Sequence, residues 1–148
     1  MNSETGSASV DPAQGRDAAW IAYFLHGIGY LSIMMWPALI GLVINYVKRG
    51  EPPGGIVDSH HRWLIRTFWY GQLWSALSLI ALLWSAWPVM HAVLLNATAG
   101  EWMITWSTIL SVIGAATVGA MGLLLTWLWL LYRIIRGGVR LANSQSVP

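Results

Sequence analysis

The chain has 148 residues, of which 56% are hydrophobic and only 9% are charged. A soluble domain carries about 25% charged residues, so this composition favours a membrane protein over a soluble enzyme or a nucleic-acid-binding domain. The net charge of +2 comes from a few basic residues that flank apolar stretches, and the absence of cysteine excludes disulfides and thiolate metal sites.

The ends of the chain differ in composition from its long central part. Residues 1–18 are rich in Ser, Ala and Gly and show no hydrophobic period, so we expect a disordered tail. Residues 19–142 hold three long stretches without charged side chains, and we expect one three-helix transmembrane domain there. Residues 143–148 are expected to be a polar C-terminal tail.

The first uncharged stretch runs from Trp20 to Val47 and is long enough to cross the roughly 30 Å hydrocarbon core with some tilt. Pro37 lies inside it and removes one helical hydrogen bond, so we expect a continuous helix with a kink near Met34–Trp36. Residues 48–59 are charged and rich in Pro and Gly, which predicts a turn.

The second helix is predicted to begin near His60, with Asp58 or Ser59 as its N-cap, and to continue to about Trp87. Its start is typical of an interfacial segment, because arginines four residues apart share one face and a tryptophan lies beside them. We therefore predict a contact site for anionic lipid headgroups or a partner protein. The predicted contact residues are His60, His61, Arg62, Trp63 and Arg66.

Residues 88–100 are apolar at first and end in turn-forming residues, so we expect a short segment at the membrane surface; whether it re-enters the membrane stays open. The third helix is predicted from about Trp102 to about Tyr132. Small residues recur every four positions on one of its faces, where a neighbouring backbone can approach closely. This small-residue stripe consists of Ser107, Ser111, Ala115 and Gly119. It serves either packing within the chain, with Gly71 and Ser75 as counterparts, or homo-oligomerisation.

The basic residues predict an orientation. Seven of the eight lysines and arginines lie in the first connection, the start of the second helix and the C-terminal flank. With three spans these regions lie on one face, and the positive-inside rule places that face in the cytoplasm. We therefore expect a multi-pass protein with its N-terminus outside and its C-terminus in the cytoplasm. The expected partners are the bilayer, anionic headgroups, and either further copies of the chain or another membrane protein.

Three segments carry a resemblance to a known family. Pro37–Arg49 looks like the end of a first helix, Ser59–Trp69 is similar to a central motif, and Tyr132–Gly138 is similar to a closing motif. The family they resemble consists of small bacterial membrane proteins of unknown function, distantly related to the chloroplast Tic import channel component and to the magnetosome proteins MamF and MmsF. The resemblance covers about residues 20–142. It implies a three- or four-helix domain in the bacterial inner membrane and no particular activity.

The four histidines are the candidate ligands of the chain. His26 and His91 fall on the same side of the predicted topology, so a haem- or redox-anchoring subunit could use them as metal ligands. No acidic residue lies within a predicted span, and no phosphate loop, zinc spacing or nucleophile motif occurs. We therefore expect no catalytic residue, metal or cofactor, and predict a structural or interaction subunit rather than an enzyme. A small oligomeric pore or lipid-handling protein is the other alternative.

Overall fold

The computed structural model describes residues 12–32, 35–50, 54–99 and 105–148. These residues form helices and no strand, so the expected all-α class is confirmed. The helices are α1 (Pro12–Leu31), α2 (Met35–Lys48), α3 (Ile56–Trp84), α4 (Trp87–Ala99) and α5 (Trp106–Ala142). The chain divides into two compact units, of which unit 1 ends at Phe68 and resumes with Leu131–Pro148, while unit 2 is Trp69–Leu130.

The first apolar stretch forms two helices, α1 and α2, that pack along each other. The prediction of one continuous first span is therefore wrong. Pro37 is the third residue of α2, where a missing N–H does not break a helical hydrogen bond, so the proline starts a second helix instead of kinking a long one. The expected kink covers residues 34–36, and residue 34 lies outside the described residues.

In unit 1, α1 runs antiparallel to the end of α5. Arg16 donates a hydrogen bond of 3.0 Å to the carbonyl oxygen of Leu141, and Gly27, about three turns further along α1, faces Ile134 of α5. The start of α1 and the end of α5 therefore lie together. This arrangement does not support the prediction that the N-terminal and C-terminal flanks lie on opposite faces of a membrane, about 30 Å apart.

The two predicted tails are partly ordered. The first part of the expected disordered tail lies outside the described residues, and residues 12–18 form the first turns of α1. The C-terminal segment 143–148 folds back on unit 1 and buries Val147, which is only 7% exposed, in a core that Trp63, Leu64 and Leu141 share. Although the segment is mostly polar, Val147 attaches it to the core of unit 1.

In unit 2, α3 and α5 pack antiparallel through close backbone contacts. A Cβ placed at Gly119 would lie 2.7 Å from the backbone nitrogen of Leu82, and Gly71 packs against Leu130 at the other end of the same helix pair. Most large apolar side chains of this unit are exposed. Glycine thus brings the two backbones together while the bulky side chains point outward.

Two helical stretches are long and apolar enough to cross a membrane, judged by length and composition. They are Ile56–Leu95, with a mean hydropathy of 1.7, and α5, with a mean hydropathy of 2.0. The predicted total of three transmembrane helices is not confirmed, because in the region of the first predicted span α2 has 14 residues and is only about 21 Å long.

Candidate functional site

Polar side chains gather in the interior of unit 1. This polar core lies between α1, α2, α3 and the C-terminal segment, and it includes both adjacent histidines of the predicted contact site. Its fully or almost fully buried members are Tyr23, His26, Asn45, Asp58, His60, His61 and Thr67. Since buried polar groups are stable only when they are hydrogen-bonded, the pairing of these side chains determines how the unit is held together.

His60 connects α1 to the C-terminal segment. Its Nε2 lies 2.9 Å from the carbonyl oxygen of Gln145, which can only accept, so Nε2 carries the proton. Its Nδ1 therefore accepts from the hydroxyl of Tyr23 at 2.8 Å. The imidazole is fully buried. His60 is thus a three-way link within unit 1 and does not face lipid headgroups, in contrast to the prediction.

His61 connects α3 to α2. Its Nδ1 lies 2.8 Å from Oδ1 of Asn45, and both side chains are fully buried. The remaining polar atoms of the pair, Nε2 of His61 and Nδ2 of Asn45, are buried without a hydrogen-bond partner. Leaving such an atom unsatisfied costs about 1–3 kcal/mol, so the pair contributes to the fit between α2 and α3 more than to net stability.

His26 and His91 are not equivalent, and the haem hypothesis gains no support from them. His26 lies in unit 1, fully buried, and donates from Nδ1 to the carbonyl oxygen of Ala22 at 2.8 Å. His91 is exposed on α4 of unit 2, beside Trp87. In the described part of the chain no group of three or more His, Cys, Asp or Glu residues could hold a metal.

Asp58 fastens the loop between α2 and α3. Gly50 and Gly54 both have positive φ angles, of 89° and 76°, which directs their N–H groups to the Asp58 carboxylate at 2.8 Å and 3.2 Å. Arg62, four residues later, forms the ion pair that the spacing predicts, at 2.9 Å. Because α3 begins at Ile56, the prediction of a start near His60 is wrong, and Asp58 lies in the first turn.

Trp63 joins α3 to α5. The guanidinium carbon of Arg133 lies 3.6 Å from the centre of its ring, and the Nε of Arg133 donates to Thr67 at 2.8 Å. Trp63 is buried within unit 1, so its ring is not exposed for the predicted contact with lipid or a partner. Of the predicted contact residues only Arg62 and Arg66 are exposed, because they occupy the face of α3 opposite the buried histidines.

The small-residue stripe of α5 packs closely against α3 at its last residue, Gly119. Gly119 is buried against the backbone of Leu82, and Ala115 is partly buried. Ser107 and Ser111 are exposed, and the hydroxyl of Ser111 donates within its own helix. The stripe therefore serves packing within the chain at Gly119, and its first turns present small side chains outward.

Comparison of the chain with protein-family models, with curated proteins and with solved structures finds no match. The resemblance of the three sequence segments therefore stays a prediction. The function has to be argued from the buried polar core, the basic residues of unit 1 and the apolar surface of unit 2.

Proposed function

We propose that the chain is an integral membrane protein with two spanning helices, formed by the apolar parts of α3 and α5. The exposed apolar surface supports this proposal. In the most apolar window of each candidate span only 6% of the residues are buried, although the mean hydropathies are 1.7 and 2.0. A core helix of a soluble protein is mostly buried, so these side chains require lipid or a membrane-embedded partner.

In this proposal α1 and α2 form a hairpin that enters the membrane from one face without crossing it. Within unit 1 the hairpin packs beside Ile56–Phe68 and the end of α5. The segment Ile56–Phe68 rises by about 12 residues or 18 Å, which is less than the thickness of the hydrocarbon core, about 30 Å. All eight lysines and arginines belong to unit 1. The positive-inside rule then places both ends of the chain in the cytoplasm, and the resemblance favours the bacterial inner membrane.

The proposed role is that of a structural or interaction subunit of a membrane assembly. The observation that carries it is that three pairs of side chains in the buried polar core join one element of unit 1 to another: His60 to Tyr23, His61 to Asn45, and Thr67 to Arg133. Such pairs fix the helices of unit 1 to one another, and unit 2 separately exposes large apolar side chains. Fixed helices and an exposed apolar surface suit binding of a second membrane protein better than they suit turnover of a substrate.

A groove on unit 2 favours lipid handling as a second candidate. It has a volume of about 500 Å³, lies between α3 and α5, and is lined mainly by apolar side chains that include Trp74, Val118, Leu125 and Trp129. An apolar groove of this volume accommodates an acyl chain.

Photo-crosslinking separates the two candidates. A benzophenone side chain is placed at Val118 in the groove or at Leu110 outside it, both of which are well exposed. An interaction subunit gives a discrete protein adduct from at least one position. Adducts to lipid alone, formed at Val118 and not at Leu110, would contradict the interaction role and favour lipid handling.

A further inference from the structure

The chain reverses direction at Ser144, immediately after α5. Ser144 has a φ of 53°, and among the described residues it is the one non-glycine residue with a positive φ. The N–H groups of Ser144 and Gln145 donate to the carbonyl oxygens of Leu141 and Arg140, at 3.1 Å and 2.9 Å, which is the pattern of a Schellman motif. Glycine usually occupies the left-handed position of this motif, because a Cβ atom disfavours that conformation. The turn that brings the C-terminal segment back to unit 1 is therefore unfavourable for a serine.

The place where this segment docks recognises mainly its backbone. We define the segment site as the unit 1 side chains that hydrogen-bond to the backbone of residues 145–148, which are Ser59, His60, Arg66 and Arg140. The distances between donor and acceptor atoms lie between 2.9 Å and 3.1 Å. Val147 is the one buried side chain of residues 143–148, and it packs in a core with Tyr23, Trp63 and Leu64. Such a site accepts the same sequence whichever copy of the chain supplies it.

We propose that the segment site also accepts residues 145–148 of a second copy, so that two copies exchange their C-terminal segments and form a symmetric dimer. In the dimer each segment makes the same hydrogen bonds and buries the same Val147 side chain, so the exchange conserves the contacts of the closed form. The chain between the two copies is straight at Ser144, and the left-handed conformation is no longer required. The exchange therefore relieves the one unfavourable feature of the closed form.

The segment is long enough for this exchange. An extended chain advances about 3.3 Å per residue, so residues 143–148 reach about 20 Å beyond the end of α5. Neighbouring helices pack with their axes about 8–10 Å apart, so two α5 ends that lie side by side are within that reach. Around a two-fold axis each segment enters the site of the other copy, which closes the assembly at two copies. The exchange uses contacts of unit 1 and does not depend on how the apolar surface of unit 2 is used.

Substitutions at Ser144 change the turn and leave the segment site intact. Ser144→Pro fixes φ at about −65° and prevents the turn, so it should lower the dissociation constant of the dimer by about tenfold or more. Ser144→Gly makes the turn favourable and should raise the same constant by about tenfold. Both constants are measured by light scattering of the full chain in detergent over a series of protein concentrations.

Val147→Asn shows whether the dimer of Ser144→Pro is held by the segment. Adding it to Ser144→Pro removes the buried side chain of the segment without adding a charge, and the double variant should be monomeric. Val43→Asn is the matched control, because it makes the same change at an exposed position of α2. Combined with Ser144→Pro, it should leave the dimer unchanged.

Cross-linking in membranes tests the exchange in chains that keep Ser144. Because the chain lacks cysteine, one copy carries Ser59→Cys and a co-expressed, tagged copy carries Val147→Cys, which is a small apolar replacement. The N–H of Val147 lies 3.1 Å from the Ser59 hydroxyl, so a segment docked in the other copy brings the two cysteines within reach of a short bismaleimide. We expect a product that joins one tagged and one untagged copy. Val43→Cys in place of Ser59→Cys is the control and should give no such product.

Each outcome decides for or against the exchange. A dimer of Ser144→Pro that requires Val147, together with a cross-linked product specific to position 59, supports it. The proposal is overturned if Ser144→Pro stays monomeric, or if its dimer survives Val147→Asn. A product that forms equally well from position 43 reports contact without exchange and also contradicts the proposal. A dimer of Ser144→Pro without any product from chains that keep Ser144 contradicts exchange by the parent chain.

Discussion

Gly119 provides the most quantitative test of how the two apolar helices pack. A Cβ atom at this position would lie 2.7 Å from the backbone nitrogen of Leu82 and 2.8 Å from its Cα. Ordinary contacts between such atoms are about 3.5–4.0 Å, so Gly119→Ala requires a shift of nearly 1 Å. The obstructing atoms are backbone and cannot rotate away, so the helices themselves have to separate.

Overpacking of this kind costs about 1–3 kcal/mol, and the higher helix propensity of alanine recovers at most about 1 kcal/mol. We therefore expect Gly119→Ala to lower the free energy of unfolding by about 1–2 kcal/mol. Gly114→Ala is the matched control, because a Cβ at Gly114 has no neighbour within 4 Å. It should leave stability unchanged or raise it slightly.

The assay is reversible unfolding in mixed micelles, followed by circular dichroism and tryptophan fluorescence, with light scattering to report oligomer size. If Gly119→Ala is as stable as Gly114→Ala, the close approach of α3 and α5 is wrong. A change in oligomer size without a change in stability would instead assign the stripe to contacts between chains.

Further predictions concern unit 1. Asn45→Leu removes the acceptor for His61 but also removes the unpaired Nδ2 of Asn45, so it should lower the unfolding free energy by at most about 1 kcal/mol, whereas exposed Val43→Leu should be neutral. Arg133→Gln loses the contact with the Trp63 ring and should cost about 1–2 kcal/mol and shift the fluorescence emission of that tryptophan.

Hydropathy predicted the helical class and the two apolar stretches because both depend on composition over long windows. Pro37 shows what hydropathy does not predict. A proline can kink a long helix or begin a new one, and the local pattern is the same in both cases. The difference lies in whether α2 can fold back on α1, which depends on Gly41 meeting the His26 ring, and that contact joins residues distant in sequence.

The predicted contact site shows that the helical period of α3 contains more information than its two arginines alone. Arg62 and Arg66 correctly indicated an exposed face of α3. The residues at the complementary helical positions, His60, His61 and Leu64, form the buried face, which the same 3.6-residue period would have indicated. The sequence does not predict their hydrogen-bond partners, because no local pattern connects His60 to Tyr23 or to Gln145. For the same reason the polar composition of residues 143–148 predicts a tail and not a packed segment.

We propose that both ends of the chain lie on one face of a membrane that the chain crosses twice. Because the chain lacks cysteine, a single Cys introduced at Ser7, Thr105 or Ser144 is a unique label site. In intact spheroplasts, a membrane-impermeant maleimide should label the variant at position 105 and neither of the other two; inside-out vesicles should give the reverse. Labelling of positions 7 and 144 from opposite sides would contradict the account.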